Sequence, residues 1–259
     1  MIRSIQNSEH YKWGQNCDGW HLLKSDNLSV IQECMPSASS EVLHYHRHAQ
    51  QVFYVLSGKA TFEINGETKI VLANESIHIP NNTLHKVANQ EVNDLSLLVI
   101  SEPKSHDDRV DIIGYSEDLK SHIKTLNVEW LEKYFKVEEV DVLQLSNPKE
   151  EILDKEGYIY YVKHQDKIVG TVSLLKVENG IYELAKMAVT DSAQGLGIGN
   201  ALMQHCLNEA KRLNIHKLLL YSNRGLSSAI HLYHKYGFKE IEMETGHYER
   251  ANIKMEKII

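Results

Sequence analysis

Gln194-Gly195-Leu196-Gly197-Ile198-Gly199 is the stretch whose reading decides the fold of the second half of the chain. Before it, Ile181-Tyr182-Glu183-Leu184-Ala185-Lys186-Met187-Ala188-Val189 alternates in the manner of a half-buried strand. After it, Asn200 to Leu213 places Leu202, Met203, Cys206, Leu207 and Ala210 at helical spacing. The order is therefore strand, glycine loop, helix. Three glycines in six residues let the backbone come close to a ligand, because no Cβ intervenes. The first N–H groups of the following helix have no intrahelical partner, and the helix dipole favours an anion. The stretch reads as a phosphate cradle. Its glycine spacing differs from the dinucleotide fingerprint GxGxxG, and it lacks the Lys-Ser/Thr pair of a Walker loop.

Toward the C-terminus, His216 to Ser222 reads as a second strand and is followed by Asn223. Ala229 to Phe238 then reads as a helix ending in Tyr233-x-x-x-Gly237-Phe238. Gln-x-x-Gly-x-Gly between a strand and a helix, with this second motif roughly 30 residues later, resembles the two signatures of the GNAT superfamily of N-acetyltransferases. The resemblance implies an α/β fold with a mixed, splayed sheet, acetyl-CoA as cofactor and a small-molecule amine, of amino acid or amino sugar type, as acceptor. It implies that the backbone of Gln194, Gly195, Leu196, Gly197, Ile198 and Gly199 grips the CoA pyrophosphate. Met187, Ala188 and Val189 would offer main-chain groups to pantetheine, Asn223 would touch the same arm, and Tyr236 would pack or line the CoA edge. Tyr233 falls at the general-acid position beside the CoA sulfur. Glu183, on the strand face of Met187, is the candidate base, acting through water. Packing explains Tyr233 as one face of a buried helix with Ile230 and Tyr236, and Glu183 as a strand-face carboxylate, so both readings stay open. Leu126 to Phe135 is similar to the acceptor-side helix of GNAT domains fused to helix-turn-helix regulators. Trp130, Tyr134 and Phe135 are then candidates for the acceptor pocket, and Arg250 for pairing with an acceptor carboxylate, against simple packing and surface charge.

The first half has another texture. From about Val30 to Ser101, short strands alternate with turns, and Asn65-Gly66 between two such runs is a strong hairpin signal. His44-Tyr45-His46-Arg47-His48 puts imidazoles on one strand face by the period of two. Gln51 and Gly58 follow, and Pro80-Asn81-Asn82-Thr83-Leu84-His85-Lys86-Val87-Ala88-Asn89 forms a second cluster. The pair resembles the two motifs of the cupin superfamily, which implies an all-β barrel (a double-stranded β-helix). The resemblance puts His44, His46 and His85 at metal-ligand positions and Gln51 where Glu is usual. Asn82 replaces a glycine, which positive φ tolerates. A divalent transition metal is expected, with Zn, Fe, Mn and Ni all open. An amide oxygen is a weaker, neutral ligand than a carboxylate, so a polar barrel lining or an organic ligand remains the alternative. His48 and His78 read as pocket or surface residues.

Two domains fit a chain of 259 residues, with 42% hydrophobic and 24% charged residues. The polar run Glu102 to Arg109 reads as a linker between a cupin barrel over residues 1–105 and a GNAT domain over 109–259. The net charge of -7 disfavours nucleic acid and anionic membrane as partners. Three cysteines, Cys17, Cys34 and Cys206, form no CxxC pair, and no stretch reaches membrane-spanning length, so a reducing, cytoplasmic setting is expected. A homodimer is left open. The expected activity is acetyl-CoA-dependent N-acetylation, with the metal-binding cupin as sensor, substrate-presenting or second catalytic domain. The alternative is a metal-dependent cupin oxygenase or isomerase with the GNAT domain accessory.

Overall fold

Alternation with a period of two shapes the N-terminal unit. The computed structural model describes residues 2–105, 108–243 and 248–259, and the chain divides into two compact units, Met1–Asp111 and Ile112–Ile259. In the first unit, β1 (Glu9–Trp13), β2 (Cys17–Lys24), β3 (Ser29–Met35), β5 (Gln50–Ser57), β8 (Ser76–Ile79) and β10 (Leu95–Glu102) build one antiparallel sheet in the order β1-β2-β3-β10-β5-β8. Facing it are β4 (His44–His46), β9 (His85–Ala88), β6 (Lys59–Ile64) and β7 (Glu67–Leu72). The first residues of β11 (Arg109–Gly114) pair with the far side of β4. Ile31, Met35, Phe53 and Leu97 from one sheet meet Ala60, Phe62 and Val87 from the other in a single core. The expected hairpin is present, with Asn65 at φ 49° and Gly66 at φ 84°, the double positive φ that its turn type requires. Asn82 adopts φ 55°.

The strand range expected from sequence starts too late, because β1 and β2 precede it. Their pattern is interrupted by Gly19, whose missing side chain has a packing reason. A Cβ there would lie 2.4 Å from the Tyr11 ring. The polar run at 102–109 also differs from a free linker. Asp108 accepts hydrogen bonds from the backbone N–H of His48 and Ala49 at 2.7 and 2.8 Å, and Lys104 pairs with Asp26 at 2.9 Å. Its charges belong to the first unit; His106 and Asp107 lie outside the described residues.

The second unit contains α1 (Lys120–Tyr134), α2 (Glu139–Ser146), β12 (Tyr158–His164), β13 (Lys167–Glu178), β14 (Ile181–Val189), α3 (Ile198–Arg212), β15 (Lys217–Ser222), α4 (Ser227–Lys235), β16 (Lys239–Ile241) and β17 (Ile253–Ile258). Its sheet runs β12-β13-β14-β15-β17-β16, with β14 and β15 parallel and the other pairs antiparallel. On α3 the expected apolar stripe is buried. On α1 the inward face is Ile123, Leu126, Asn127 and Leu131, whereas Tyr134 is 45% exposed and Phe135 lies just past the helix end. Among the described residues, no helix is long and apolar enough to cross a membrane.

The sheet opens at one place. β14 and β15 pair only from Ile181–Lys217 to Glu183–Leu219, although both strands continue. Just beyond, Ala185 pairs with Ser173 and Ala188 with Thr171, so Lys186 and Met187 stand opposite Val172 alone. This is a bulge, and Lys186 takes φ 52° in it. A left-handed lysine costs about 1–2 kcal/mol. The bulge turns its ammonium inward to Asp141 of α2, 2.8 Å away, and Asp141 is fully buried. Arg250 reaches the same carboxylate with contacts of 2.6 and 3.0 Å. Burial raises the Asp141 carboxyl, but Lys186 and Arg250 outweigh it and hold it below the usual aspartate range. For Lys186, burial outweighs its single carboxylate partner and lowers the ammonium.

Asp141→Asn keeps the shape but leaves the buried Lys186 without its carboxylate and Arg250 with Glu138 alone, and the cost should be about 3–5 kcal/mol at pH 7 in urea denaturation. The folded Asp141 titrates below its unfolded value of about 3.9, so its contribution is full above that pH. As pH falls through the folded value the contribution disappears, and the gap between wild type and variant should close in acid. The expectation of separately folding halves is tested by fragments. Residues 1–111 should melt cooperatively and at higher temperature than 1–105, which lacks the strand paired to β4, and 112–259 should fold alone.

Candidate active site and metal centre

A cavity of about 250 Å³ lies where β14 and β15 part. Glu183, Met187, Ala188 and Val189 line it from β14, and Gln194 from the glycine loop. Asn223 follows the end of β15, and Tyr233 comes from α4. These seven site residues, expected from sequence, share one space. Gly195, Leu196, Gly197, Ile198 and Gly199 adjoin Gln194 in the loop and first turn of α3, and Tyr236 lies outside the lining.

The loop is shaped by its glycines. Gly195 and Gly197 take φ 78° and 80°, and a Cβ built on Gly195 meets nothing within 4 Å. Gly197 immediately precedes α3, so the free N–H groups of that helix start at the cradle. Ile198 anchors the turn in the core with 2% exposure. Gln194 Nε2 donates to Asp191 at 2.7 Å, and Lys133 pairs with the same carboxylate at 2.7 Å, which fixes the loop's entry. Tyr236 donates its hydroxyl to the Asn200 carbonyl at 3.2 Å.

Around the cavity, Glu183 is 4% exposed and accepts a hydrogen bond from the Tyr248 hydroxyl. Burial raises the Tyr233 hydroxyl above the ordinary tyrosine value, with the Ser222 hydroxyl beside it acting the other way. Asn223 donates to the Arg250 carbonyl at 2.7 Å and accepts from Gly225 N–H at 2.8 Å, so its amide braces the turn at the cavity wall. Trp130 and Phe135 line the cavity, and Tyr134 does not. Arg250 lines it as well, bound to Glu138 and Asp141. Sequence reasoning missed Asp141, Lys186 and Tyr248. Lys186 stood in the quoted strand, but nothing in a lysine signals the positive φ that turns it inward.

In the first unit, β4 and β9 bring His44, His46 and His85 together, all buried, with their ligand atoms within 4.8 Å of one another. β4 ends at His46, so His48 leaves the shared face and is exposed. His44 Nδ1 lies 2.9 Å from the Val42 carbonyl and His85 Nδ1 lies 2.8 Å from the Thr83 carbonyl. A carbonyl can only accept, so both rings carry their proton on Nδ1 and keep a lone pair on Nε2. Burial, followed by the charge of Arg109 and the other imidazoles, lowers His44 well below its ordinary value. Burial likewise brings His46 to about 3 and His85 to about 4. All three are neutral at pH 7. Gln51, 5% exposed, reaches Ser101 Oγ with Nε2 at 3.2 Å and places Oε1 3.0 Å from His85 Nε2. With the His85 proton already on Nδ1, that contact joins two lone pairs unless the amide is turned end for end.

The same barrel holds groups that no motif flagged. Glu33 faces inward on β3 and is pushed up to about 8 by burial and the charge of Glu41. Tyr11 donates to Glu33 Oε1 at 3.3 Å, and Arg109 lies 3.7 Å from Glu41.

Comparison with known proteins agrees with this division. The acetyltransferase (GNAT) family matches residues 122–238, and the cupin domain matches residues 30–101. A GNAT-family acetyltransferase from Staphylococcus aureus superposes with a TM-score of 0.53 at 23% identity, covering 57% of this chain and 98% of that one. An acetyltransferase from Streptococcus agalactiae gives 0.52 at 14% identity, over 58% of this chain and 98% of its own. At these identities the likeness speaks for the fold. An uncharacterised protein of Methanocaldococcus jannaschii is 29% identical over 89 residues, 34% of this chain and 71% of its own length. The chain therefore carries a cupin domain over residues 30–101 and an acetyltransferase (GNAT) family domain over residues 122–238.

Proposed function

We propose that the second domain moves an acetyl group from acetyl-CoA to the amine of a small molecule. What supports this is the single cavity in which Glu183, Tyr233, the edge of β14 and the entry of the glycine loop meet. Acetyl-CoA supplies the acetyl group as a thioester. The N–H groups from Gln194 to Gly199 bind its pyrophosphate at the positive end of α3. β14 beyond Glu183 no longer pairs with β15, so the backbone of Met187, Ala188 and Val189 on that side is available to pantetheine. Glu183 takes the proton of the acceptor ammonium through water, leaving a nitrogen lone pair to attack the thioester carbonyl. Tyr233 holds its proton at neutral pH and gives it to the sulfur as the C–S bond breaks. Asn223 braces the cavity wall beside Arg250.

We further assign His44, His46 and His85, with Gln51, to one divalent transition metal. These four side chains would hold the ion through imidazole nitrogens and an amide oxygen. Gln51 Oε1 and His85 Nε2, 3.0 Å apart with the His85 proton on Nδ1, turn two lone pairs to one place, as a cation between them would require. Neutral imidazoles oriented by carbonyls fit it too. A bound ion there supplies Lewis-acid chemistry or holds an oxygen ligand. Whether the cupin senses, presents substrate or runs its own reaction is decided by comparing acetylation kinetics of metal-stripped and metal-loaded protein.

Gly197→Val should abolish acetyl-CoA binding in calorimetry, because the left-handed backbone rejects a β-branched side chain at the cradle. Tyr233→Phe should leave that affinity nearly intact and lower kcat by roughly 10²–10⁴-fold. Wild-type turnover by Tyr233→Phe would remove the acid role. Elemental analysis of purified protein should find one transition metal per chain, lost in His44→Ala/His46→Ala and held more tightly in Gln51→Glu. Equal metal content in wild type and the double variant defeats the assignment.

A further inference from the structure

We infer that the acceptor is a primary amine on an apolar body with no carboxylate beside the nitrogen, an alkyl- or arylalkylamine rather than an amino acid or amino sugar. This rests on the reading of the cavity as the acetyl-transfer site, and it replaces the amino acid or amino sugar type expected from sequence.

Among the described residues lining the cavity, the ionisable carboxylates and cations are Asp141, Glu183, Lys186 and Arg250. Glu138 joins them as an Arg250 partner at 2.8 Å. Both cations are held by direct ion pairs. Lys186 lies 2.8 Å from Asp141, and Arg250 Nη1 lies 2.6 Å from Asp141 while its Nη2 takes the other Asp141 oxygen at 3.0 Å. Glu138 is fixed in turn, because it also accepts from the backbone N–H of Glu249 and Arg250 at 3.1 and 3.2 Å. A substrate carboxylate must therefore displace a protein carboxylate from a buried pair to gain a cation, and breaking such pairs is costly.

The placement of Glu183 points the same way. The lining carries two carboxylates, Asp141 and Glu183, and two cations, Lys186 and Arg250, and both cations sit on Asp141. Glu183 accepts the Tyr248 hydroxyl and faces the cavity, and a carboxylate has room for further donors. An ammonium meets the Glu183 carboxylate at the cavity face, whereas an added carboxylate meets like charge there.

The rest of the lining selects the body of the acceptor. Trp130 and Phe135, with ring centroids 5.6 Å apart, and Leu131 beside them give the cavity an apolar wall. An apolar chain or ring gains by covering that wall. The hydroxyls of a sugar find no hydrogen-bond partner on the side chains of Leu131 and Phe135.

The test uses the full-length protein and three amines that share one ring: phenethylamine, phenylalanine and phenylalaninamide. Glucosamine serves as the polar control. Thiol release reads turnover, and calorimetry reads acetyl-CoA binding separately. Phenethylamine should exceed phenylalanine in kcat/KM by at least about tenfold, with phenylalaninamide recovering most of the difference. Glu138→Gln removes one negative charge and loosens Arg250, and should narrow the gap by raising phenylalanine. Equal or better use of phenylalanine or glucosamine overturns the inference. So does acetyl-CoA binding with no phenethylamine turnover. Failure to bind acetyl-CoA at all refutes instead the acetyl-transfer reading on which the inference rests.

Discussion

The buried carboxylate of Asp141 is the constraint on which the second domain depends. It collects Lys186 and Arg250, and so ties α2 to the bulged centre of β14 and to the segment before β17. Without a counter-charge, a lysine would not stay inside in a left-handed conformation. With it, β14 bends away from β15 after Glu183 and leaves main-chain groups and a cavity between them. The ion pair, the bulge and the cavity thus lie side by side at the centre of β14. The same pair occupies the cations that would otherwise greet an anionic substrate, so the element that opens the site also colours it.

The cupin domain works by a different economy. Its histidines are neutral because they are buried, and they are oriented because Val42 and Thr83 each offer a carbonyl to one ring nitrogen. Burial without that orientation would leave the tautomers undefined. The barrel adds a second set of groups around the buried Glu33, namely Tyr11, Glu41 and Arg109, and burial raises the Glu33 carboxyl to about 8. Arg109 links the two sets electrostatically, since its charge acts on His44 and on Glu33. The first residue of β11 thus takes part in the electrostatics of the first domain.

Local signals carried much of this without a structure. Helix periodicity in α3, the Asn65-Gly66 turn, the glycine loop and the His-x-His spacing are short-range patterns set by backbone sterics and side-chain direction, and these survive in a bare sequence. Two domains of different texture follow from the same patterns. The loop and its flanking strand and helix, with Tyr233 and Glu183, were legible because they lie in or near ordered motifs.

What only the tertiary structure decided are relations between distant residues. Asp141 meets Lys186 and Arg250 across separations of 45 and 109 residues. Neither α2 nor the bulge announces that meeting, because a strand pattern is equally compatible with Lys186 pointing to water. Tyr248 reaches Glu183 in the same way. In the first domain, Asp108 looked like solvent-facing polarity until its carboxylate was found on the N–H groups of His48 and Ala49, 60 and 59 residues away. Sequence determines which side chains can carry charge, lone pairs or apolar surface. Which of them neutralise one another depends on burial, and burial exists only once the chain has closed on itself.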